Sequence, residues 1–130
     1  MKANDTKMEI TTEKGLMTET GANSEELKEN ADSYLKLEVP PYDVSQSAID
    51  TIAYVYPLNE LLEMLPKYIL DKRDKGRTTF SLGKTMNGEY KGGWWNLQGF
   101  GPYPSPSEVV IQALIYLNTL SKDKDYEAIY

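Results

Sequence analysis

The side chains that carry chemistry in this sequence are lysines, arginines, carboxylates and aromatic rings, because histidine and cysteine are both absent. Without histidine the chain lacks the commonest general base and the commonest ligand of transition metals. Without cysteine it has no thiolate nucleophile, no disulfide and no zinc site built on sulfur. These absences close most of the chemistry of small enzymes. The sequence therefore predicts a protein that is not an enzyme and that uses no cofactor.

Basic residues gather in one stretch, residues 67–91, which holds seven lysines and arginines against three acids. The stretch has a local charge of +4, whereas the whole chain has a net charge of −6. With two tryptophans close behind it, this mixture is typical of proteins that bind single-stranded nucleic acid. A solvated turn and the polar face of a hairpin explain the same residues without a ligand. The candidate contacts to an anion or a nucleic acid are Lys72, Arg73, Lys75, Arg77, Lys84 and Lys91.

The adjacent residues Trp94 and Trp95 are a second candidate site. Neighbouring residues of a strand point to opposite faces, so one ring is expected in the core and the other at the surface. Trp95 shares the parity of Leu97 and is assigned to the core, which leaves Trp94 accessible; a bulge at the preceding glycines would swap the two. An exposed tryptophan often anchors a protein interface. The predicted contact surface is Trp94 with Tyr90 and Tyr103.

Three further patterns carry less chemistry. The run 83–85 (GKT) looks like the end of a phosphate-binding loop, but the full pattern requires a glycine where Thr78 stands. The acids Asp123, Asp125 and Glu127 lack the twelve-residue loop of a calcium site. Paired carboxylates hydrolyse glycosides, and no spacing in the sequence selects two of them. Because paired carboxylates are chemically possible, a small carbohydrate-active or hydrolytic enzyme is the third functional alternative, after the two given below.

Helices are predicted in three places from the spacing of apolar residues. Residues 45–56 fit an apolar helical stripe, although residues 51–56 are also rich in strand formers. A second helix begins near Pro57, which suits a first helical turn. The third helix has the clearest signals, because Ser105 and Glu108 form a capping box ahead of a wide apolar face.

A β-hairpin is predicted between the second and third helices. Apolar and polar residues alternate over 78–82, and the dipeptide 87–88 (NG) favours a tight turn before a second strand at 90–97. Residues 34–39 are a candidate third strand, since three strands stabilise a sheet better than two. Residues 99–104 (GFGPYP) are typical of an irregular loop.

The length of 130 residues allows one domain. Residues 1–33 hold eight acids and no aromatic residue, so they are predicted to form a flexible, disordered tail, with a transient helix over Ser24 to Ala31 as the one local structure considered within it. Residues 34–122 are predicted to form a single α+β domain, in which a small two- or three-stranded antiparallel sheet packs against helices. Residues 123–130 are predicted as a C-terminal tail. No apolar run suits a signal peptide or a membrane span, which favours a cytoplasmic protein without membrane contact.

The order of elements over residues 59–117 resembles small uncharacterised proteins of bacterial prophages and other mobile elements. The resemblance lies in NELLEMLPKYI, a hairpin with aromatic residues, and SPSEVVIQALIYL. The ending also resembles the HicB-type antitoxin half-fold, although the full run of three strands before the helix and a clear fourth strand after it are missing. Neither resemblance implies catalytic residues.

The resemblance and the tryptophan pair together predict a non-enzymatic accessory protein of a mobile element that contacts another protein. The alternative is a regulatory or nucleic-acid-contacting module that uses residues 67–91.

Overall fold

The computed structural model describes residues 24–40 and 43–130, and in this part of the chain it shows four helices and two antiparallel sheets. The helices are α1 (Ser24–Leu35), α2 (Gln46–Val55), α3 (Leu58–Glu63) and α4 (Pro106–Leu120). The strands are β1 (Tyr68–Asp71), β2 (Arg77–Thr78), β3 (Phe80–Lys84), β4 (Tyr90–Trp94), β5 (Gln98–Tyr103) and β6 (Tyr126–Ile129). The predicted α+β class is confirmed, with two three-stranded sheets of order β2-β1-β6 and β3-β4-β5.

Helix α4 is the centre of the fold, because it is apolar around most of its circumference. It packs against the other three helices on one side and against β4, β5 and β6 on the other. Nine of its fifteen residues are buried. The predicted cap is confirmed: the Glu108 N–H donates to the Ser105 Oγ at 3.2 Å, and Pro106 occupies the first turn.

The two preceding helices also follow the sequence pattern. Helix α2 confirms the helical reading of residues 45–56, and the Ala48 N–H donates to its N-cap Ser45 Oγ at 3.2 Å. Its buried residues, Ala48, Ile49 and Ile52, face the core. Helix α3 follows Pro57 directly and ends at Glu63, where Met64 caps it. Local apolar spacing and the Ser45 cap account for α2, and α3 follows Pro57 without a side-chain cap.

The prediction of a tail through residue 33 is wrong for residues 24–33, which belong to α1. Ala31 in that helix is buried against the core. The end of α1 is joined to α4 by Asn118, whose Nδ2 donates to the Leu35 and Leu37 carbonyl oxygens at 2.7 and 2.8 Å. One small buried residue in a polar helix leaves no apolar stripe for the sequence pattern to show. The remainder of the predicted tail, residues 1–23, lies outside the described residues.

The candidate third strand at residues 34–39 is also wrong, because Tyr34 and Leu35 close α1 and the next residues have no regular structure. The sheet that contains β1 is completed instead from the C-terminal side. Residues 123–130 were predicted as a tail, but β6 within them pairs antiparallel with β1, from Tyr68↔Ile129 to Asp71↔Tyr126. This short strand is specified by a partner more than fifty residues away, which no local pattern reveals.

The second sheet extends the predicted hairpin by one strand. The turn after β3 contains Gly88 at φ +82°, and the Thr85 Oγ1 accepts hydrogen bonds from two backbone N–H groups of that turn. Strand β5 replaces the predicted loop at residues 99–104, since an edge strand tolerates Pro102 without its N–H. Only Thr79 separates β2 from β3, so the chain passes directly from one sheet to the other.

Candidate functional site at the outer face of the second sheet

The sheet β3-β4-β5 has two faces of very different composition. On the inner face, Phe80 lies opposite Trp94, and Gly92 lies opposite Phe100. This is the face that α4 covers, since a Cβ atom added at Gly92 would lie 3.0 Å from Val109 Cγ1. The residues that alternate with these along the strands lie on the opposite side of the sheet. We call five of them the outer face: Ser81, Gly83, Lys91, Gly93 and Gly99.

The inner face is held together by a cluster of aromatic rings around Trp94. The centroid of this ring lies 5.1 Å from that of Phe80, 6.3 Å from that of Phe100 and 6.2 Å from that of Tyr116 on α4. The contacts with Phe80 and Phe100 are edge-to-face, and the contact with Tyr116 is tilted. Edge-to-face contacts stabilise the core beyond the area they bury. Trp94 is 2% exposed and belongs to the hydrophobic core.

The unequal burial predicted for the two tryptophans is confirmed, but the assignment of each ring is wrong. Trp95 is 79% exposed, and Trp94 is the buried ring. The strand ends at Trp94, and the following turn has Asn96 at φ +62°, so the alternation used to assign the rings does not extend to Leu97. Strand β4 pairs with β3 in regular register from Tyr90 to Trp94, although its pairing with β5 shifts register between Tyr90 and Gly92. Trp95, in the turn, is the accessible ring.

The other members of the predicted contact surface also lie on the inner side. Tyr90 and Tyr103 are opposite each other in the register of β4 and β5. Both are half-buried and pack against the core beside Trp94. These three residues pack in or against the core and stabilise the fold. The accessible ring is Trp95.

The accessible residues on this side of the sheet are Trp95 in the turn and four positions of the outer face, whereas Gly93 in the middle of that face is buried. Ser81, Gly93 and Gly99 form one row across the three strands, and Gly83 and Lys91 form the next row. The turn that holds Trp95 begins just beyond the first of these rows. The outer face is therefore a floor of backbone with few side chains, which is buried at Gly93 in its middle and ends near the exposed indole of Trp95. Sequence reasoning missed this floor, because it becomes visible only when the strand register is known.

The six basic candidates are divided between two hairpins. Lys84 and Lys91 lie in the sheet of the outer face, on β3 and β4. The other four lie in or beside the β1–β2 turn: Lys72, Arg73, Lys75 and Arg77. The structure therefore does not collect all six into one track on one sheet.

Several of these cations already have partners within the protein. The Arg73 guanidinium donates to both oxygens of Asp71 at 3.0 Å and to the Tyr126 hydroxyl at 2.8 Å. Its hydrogen bonds hold the pKa of the Asp71 carboxyl below its usual value. Arg77 lies 5.0 Å from the ring centre of Tyr68, and Lys84 lies 5.7 Å from that of Tyr90. Within the described residues, Lys72, Lys75 and Lys91 are exposed and form no ion pair.

A second polar cluster, which no sequence pattern indicated, joins α1 to the end of α2. The Tyr56 hydroxyl donates to Asp32, and the Lys28 ammonium donates to the Tyr56 hydroxyl at 2.7 Å and to Asp32 at 3.2 Å. The bond from Tyr56, and then the bond from Lys28, hold the pKa of the Asp32 carboxyl below its usual value. The three side chains form hydrogen bonds with one another, so the cluster holds α1 against the end of α2.

The carboxylates do not assemble into a metal site in the part of the chain that the structure covers, because it contains no group of three or more that could hold an ion. Asp123 accepts from the backbone of Asp125, and Asp125 lies 3.7 Å from Arg73. Glu108 is half-buried at the start of α4. Burial, and then the negative charge of Asp50, raise the pKa of its carboxyl.

No family model, curated protein or solved structure matches this chain. Among the residues described, no helix has both the length and the apolar character needed to cross a membrane. The functional argument therefore depends on the geometry of the outer face and on the distribution of charge around it.

Proposed function

We propose that the protein is a non-enzymatic accessory protein, of the kind that bacterial mobile elements encode, and that it contacts another protein through Trp95 and the outer face. The exposed indole is the observation that carries this proposal. Leaving such a ring in water forgoes about 2–3 kcal/mol of burial free energy. Tryptophan is also strongly enriched among the residues that dominate binding at protein interfaces.

The distribution of cations favours a protein partner over a nucleic acid. A single strand of nucleic acid is bound along a cationic groove with stacking rings. Here the basic residues are split between two hairpins, and Arg73 is engaged by Asp71 and Asp125. The outer-face positions themselves contribute one charged residue, Lys91.

Photo-crosslinking in cells of the source organism tests the proposal. A benzoylphenylalanine at position 95 is expected to form a protein adduct that unlabelled wild-type protein displaces and that the Trp95→Ala protein does not. The same probe at Tyr130, which is also exposed, is the matched control and should not give this adduct. Absence of a displaceable adduct at position 95 would reject the contact surface. An adduct that nuclease removes would replace it with the nucleic-acid function.

A further inference from the structure

The turn between β3 and β4 lies in solvent at one end of the second sheet. Met86 in this turn is 103% exposed, and Asn87 and Gly88 beside it are exposed as well. A Cβ atom added at Gly88 would meet no described atom within 4 Å. Water therefore has open access to the peptide bond that joins Asn87 to Gly88.

This peptide bond combines an amide side chain with a glycine. Asn87 is the only asparagine of the sequence that a glycine follows. Its backbone N–H donates to the Thr85 Oγ1 at 3.3 Å, and its side-chain amide has no hydrogen-bond partner among the described residues. Gly88 has no side chain that would shield its own backbone nitrogen. That nitrogen can therefore reach the Cγ atom of Asn87.

We propose that Asn87 is a site of spontaneous covalent modification, at which the side-chain amide is lost as ammonia and the hydrogen bonds of Thr85 set the rate. In the first step the Gly88 nitrogen gives its proton to hydroxide and attacks the Asn87 Cγ. A bond forms between these two atoms, and the bond from Cγ to the side-chain nitrogen breaks. The side-chain nitrogen takes a proton from water and leaves as ammonia, and a cyclic imide remains.

Water completes the modification by opening the imide. It adds to one of the two imide carbonyl carbons, and the bond from that carbon to the ring nitrogen breaks. Opening at Cγ gives an aspartate, whereas opening at the main-chain carbonyl gives an isoaspartate, in which the main chain passes through Cβ and Cγ. The whole reaction consumes one water and releases one ammonia, and no group is oxidised or reduced.

The hydrogen bonds of Thr85 oppose the first step. The Thr85 carbonyl oxygen accepts from the Gly88 N–H at 3.0 Å, and its Oγ1 accepts from the backbone N–H groups of Asn87 and Glu89 at 3.3 and 3.2 Å. The attacking nitrogen must leave its acceptor and turn towards Cγ before the two atoms are placed to react. The reaction therefore proceeds from a locally opened turn, and the stability of the turn controls how often that state occurs.

The modification changes both the charge and the main chain of the hairpin. Each product carries a carboxylate where the amide was neutral, so the positive charge of residues 67–91 falls by one. The isoaspartate also lengthens the main chain by one methylene within the turn that joins β3 to β4. This consequence is independent of the contact surface at Trp95, which lies in the turn at the other end of β4.

The test is to incubate the full chain at neutral and mildly alkaline pH and to follow each asparagine by peptide mapping with mass spectrometry. Asn96 is the matched control, because it is exposed in another turn of the same sheet and the Leu97 N–H after it also donates to a carbonyl oxygen at 3.0 Å. Asn87 should be converted at least about tenfold faster than Asn96, because a glycine nitrogen follows it. Equal rates at the two positions would overturn the proposal.

The chemistry of the two steps has its own signatures. The rate at Asn87 should rise with pH, because the attacking nitrogen must first lose its proton. In water labelled with ¹⁸O, each product should gain one heavy oxygen, and both aspartate and isoaspartate should be present. Products without the heavy oxygen would overturn the imide route. An increase in negative charge that persists in Asn87→Gln would overturn the assignment to this residue.

Thr85→Ala tests the control of the rate. In the folded protein this variant should convert Asn87 about threefold faster or more, because the turn opens more often, while the rate at Asn96 stays the same. In concentrated urea the variant and the wild type should convert Asn87 at the same rate, since neither retains the turn. Equal rates in the folded proteins would overturn the role of Thr85, and a difference that persists in urea would do so too.

Discussion

The inner and outer faces of the sheet β3-β4-β5 belong to the same three strands and differ in almost every physical property. On the inner face, Trp94 packs among Phe80, Phe100 and Tyr116, so the burial of these rings stabilises the fold itself. The outer face carries few side chains, and at Gly83 a Cβ atom would meet no described atom within 4 Å. The contrast separates residues that hold the sheet on α4 from residues that do not pack against it.

The largest test of this contrast is to truncate the two neighbouring tryptophans in turn. Trp94→Ala should lower the free energy of unfolding by about 3–5 kcal/mol, because a buried ring is lost and a cavity remains. Trp95→Ala should change it by less than about 0.5 kcal/mol, as expected of an exposed residue. Urea denaturation of both proteins measures the two values. Similar losses would mean that the turn at Trp95 is part of the core.

A second test compares alanine at the two kinds of glycine. Gly93→Ala should destabilise the protein by about 1–3 kcal/mol or more, because the backbone is strained and the methyl group meets the Gln98 carbonyl oxygen. Gly83→Ala should stabilise it by about 0.5–1 kcal/mol. Thermal unfolding followed by circular dichroism gives both shifts. A destabilising Gly83→Ala would show that the fold requires glycine at this position.

A third test, with a smaller expected effect on the free energy of unfolding, concerns the N-cap of α4, the helix that covers the inner face. Ser105→Ala should cost about 1 kcal/mol, because the Glu108 N–H loses its acceptor at the start of α4. Ser47→Ala, in the exposed first turn of α2, is the control and should be neutral. Chemical denaturation compares the two. A neutral Ser105→Ala would indicate that packing alone fixes where α4 begins over the inner face.

The smallest effect concerns pH. Burial and Asp50 raise the pKa of Glu108, so its contribution to stability is complete below the ordinary value of 4.5 and is lost as pH rises through the raised pKa. Glu108→Gln should remove this dependence, and the variant should gain stability relative to wild type as pH increases from about 4.5 towards neutrality. Stability measured at several pH values tests this. A constant difference between the two proteins would contradict the pKa shift.

Elements whose signals are local could be predicted from the sequence. The caps at Ser45 and Ser105, the helix after Pro57 and the turn at Gly88 each depend on interactions within a few residues. Strand β6 and helix α1 could not be predicted in this way, because distant parts of the chain supply their stability. Pairing with β1 defines the strand, and contacts with α2 and α4 hold the helix.

The site was predicted only in part for a related reason. That one tryptophan is exposed follows from the period of a strand, but which one depends on where the strand ends. Asn96 was the available signal, since asparagine tolerates the left-handed conformation that ends β4. The glycine floor needed the register, because Gly83, Gly93 and Gly99 are scattered over seventeen residues of sequence.

The hydrogen bonds from Asn118 to Leu35 and Leu37 also order the events of unfolding. They join positions 83 and 81 residues apart in the chain, and Ala31 is the one buried residue of α1. A helix fastened by polar contacts to a partner so distant is expected to open before the core and to close after it. The amide hydrogens of α1 should then exchange with solvent sooner than those of α4, so that the protein has a labile outer helix around a slowly exchanging centre.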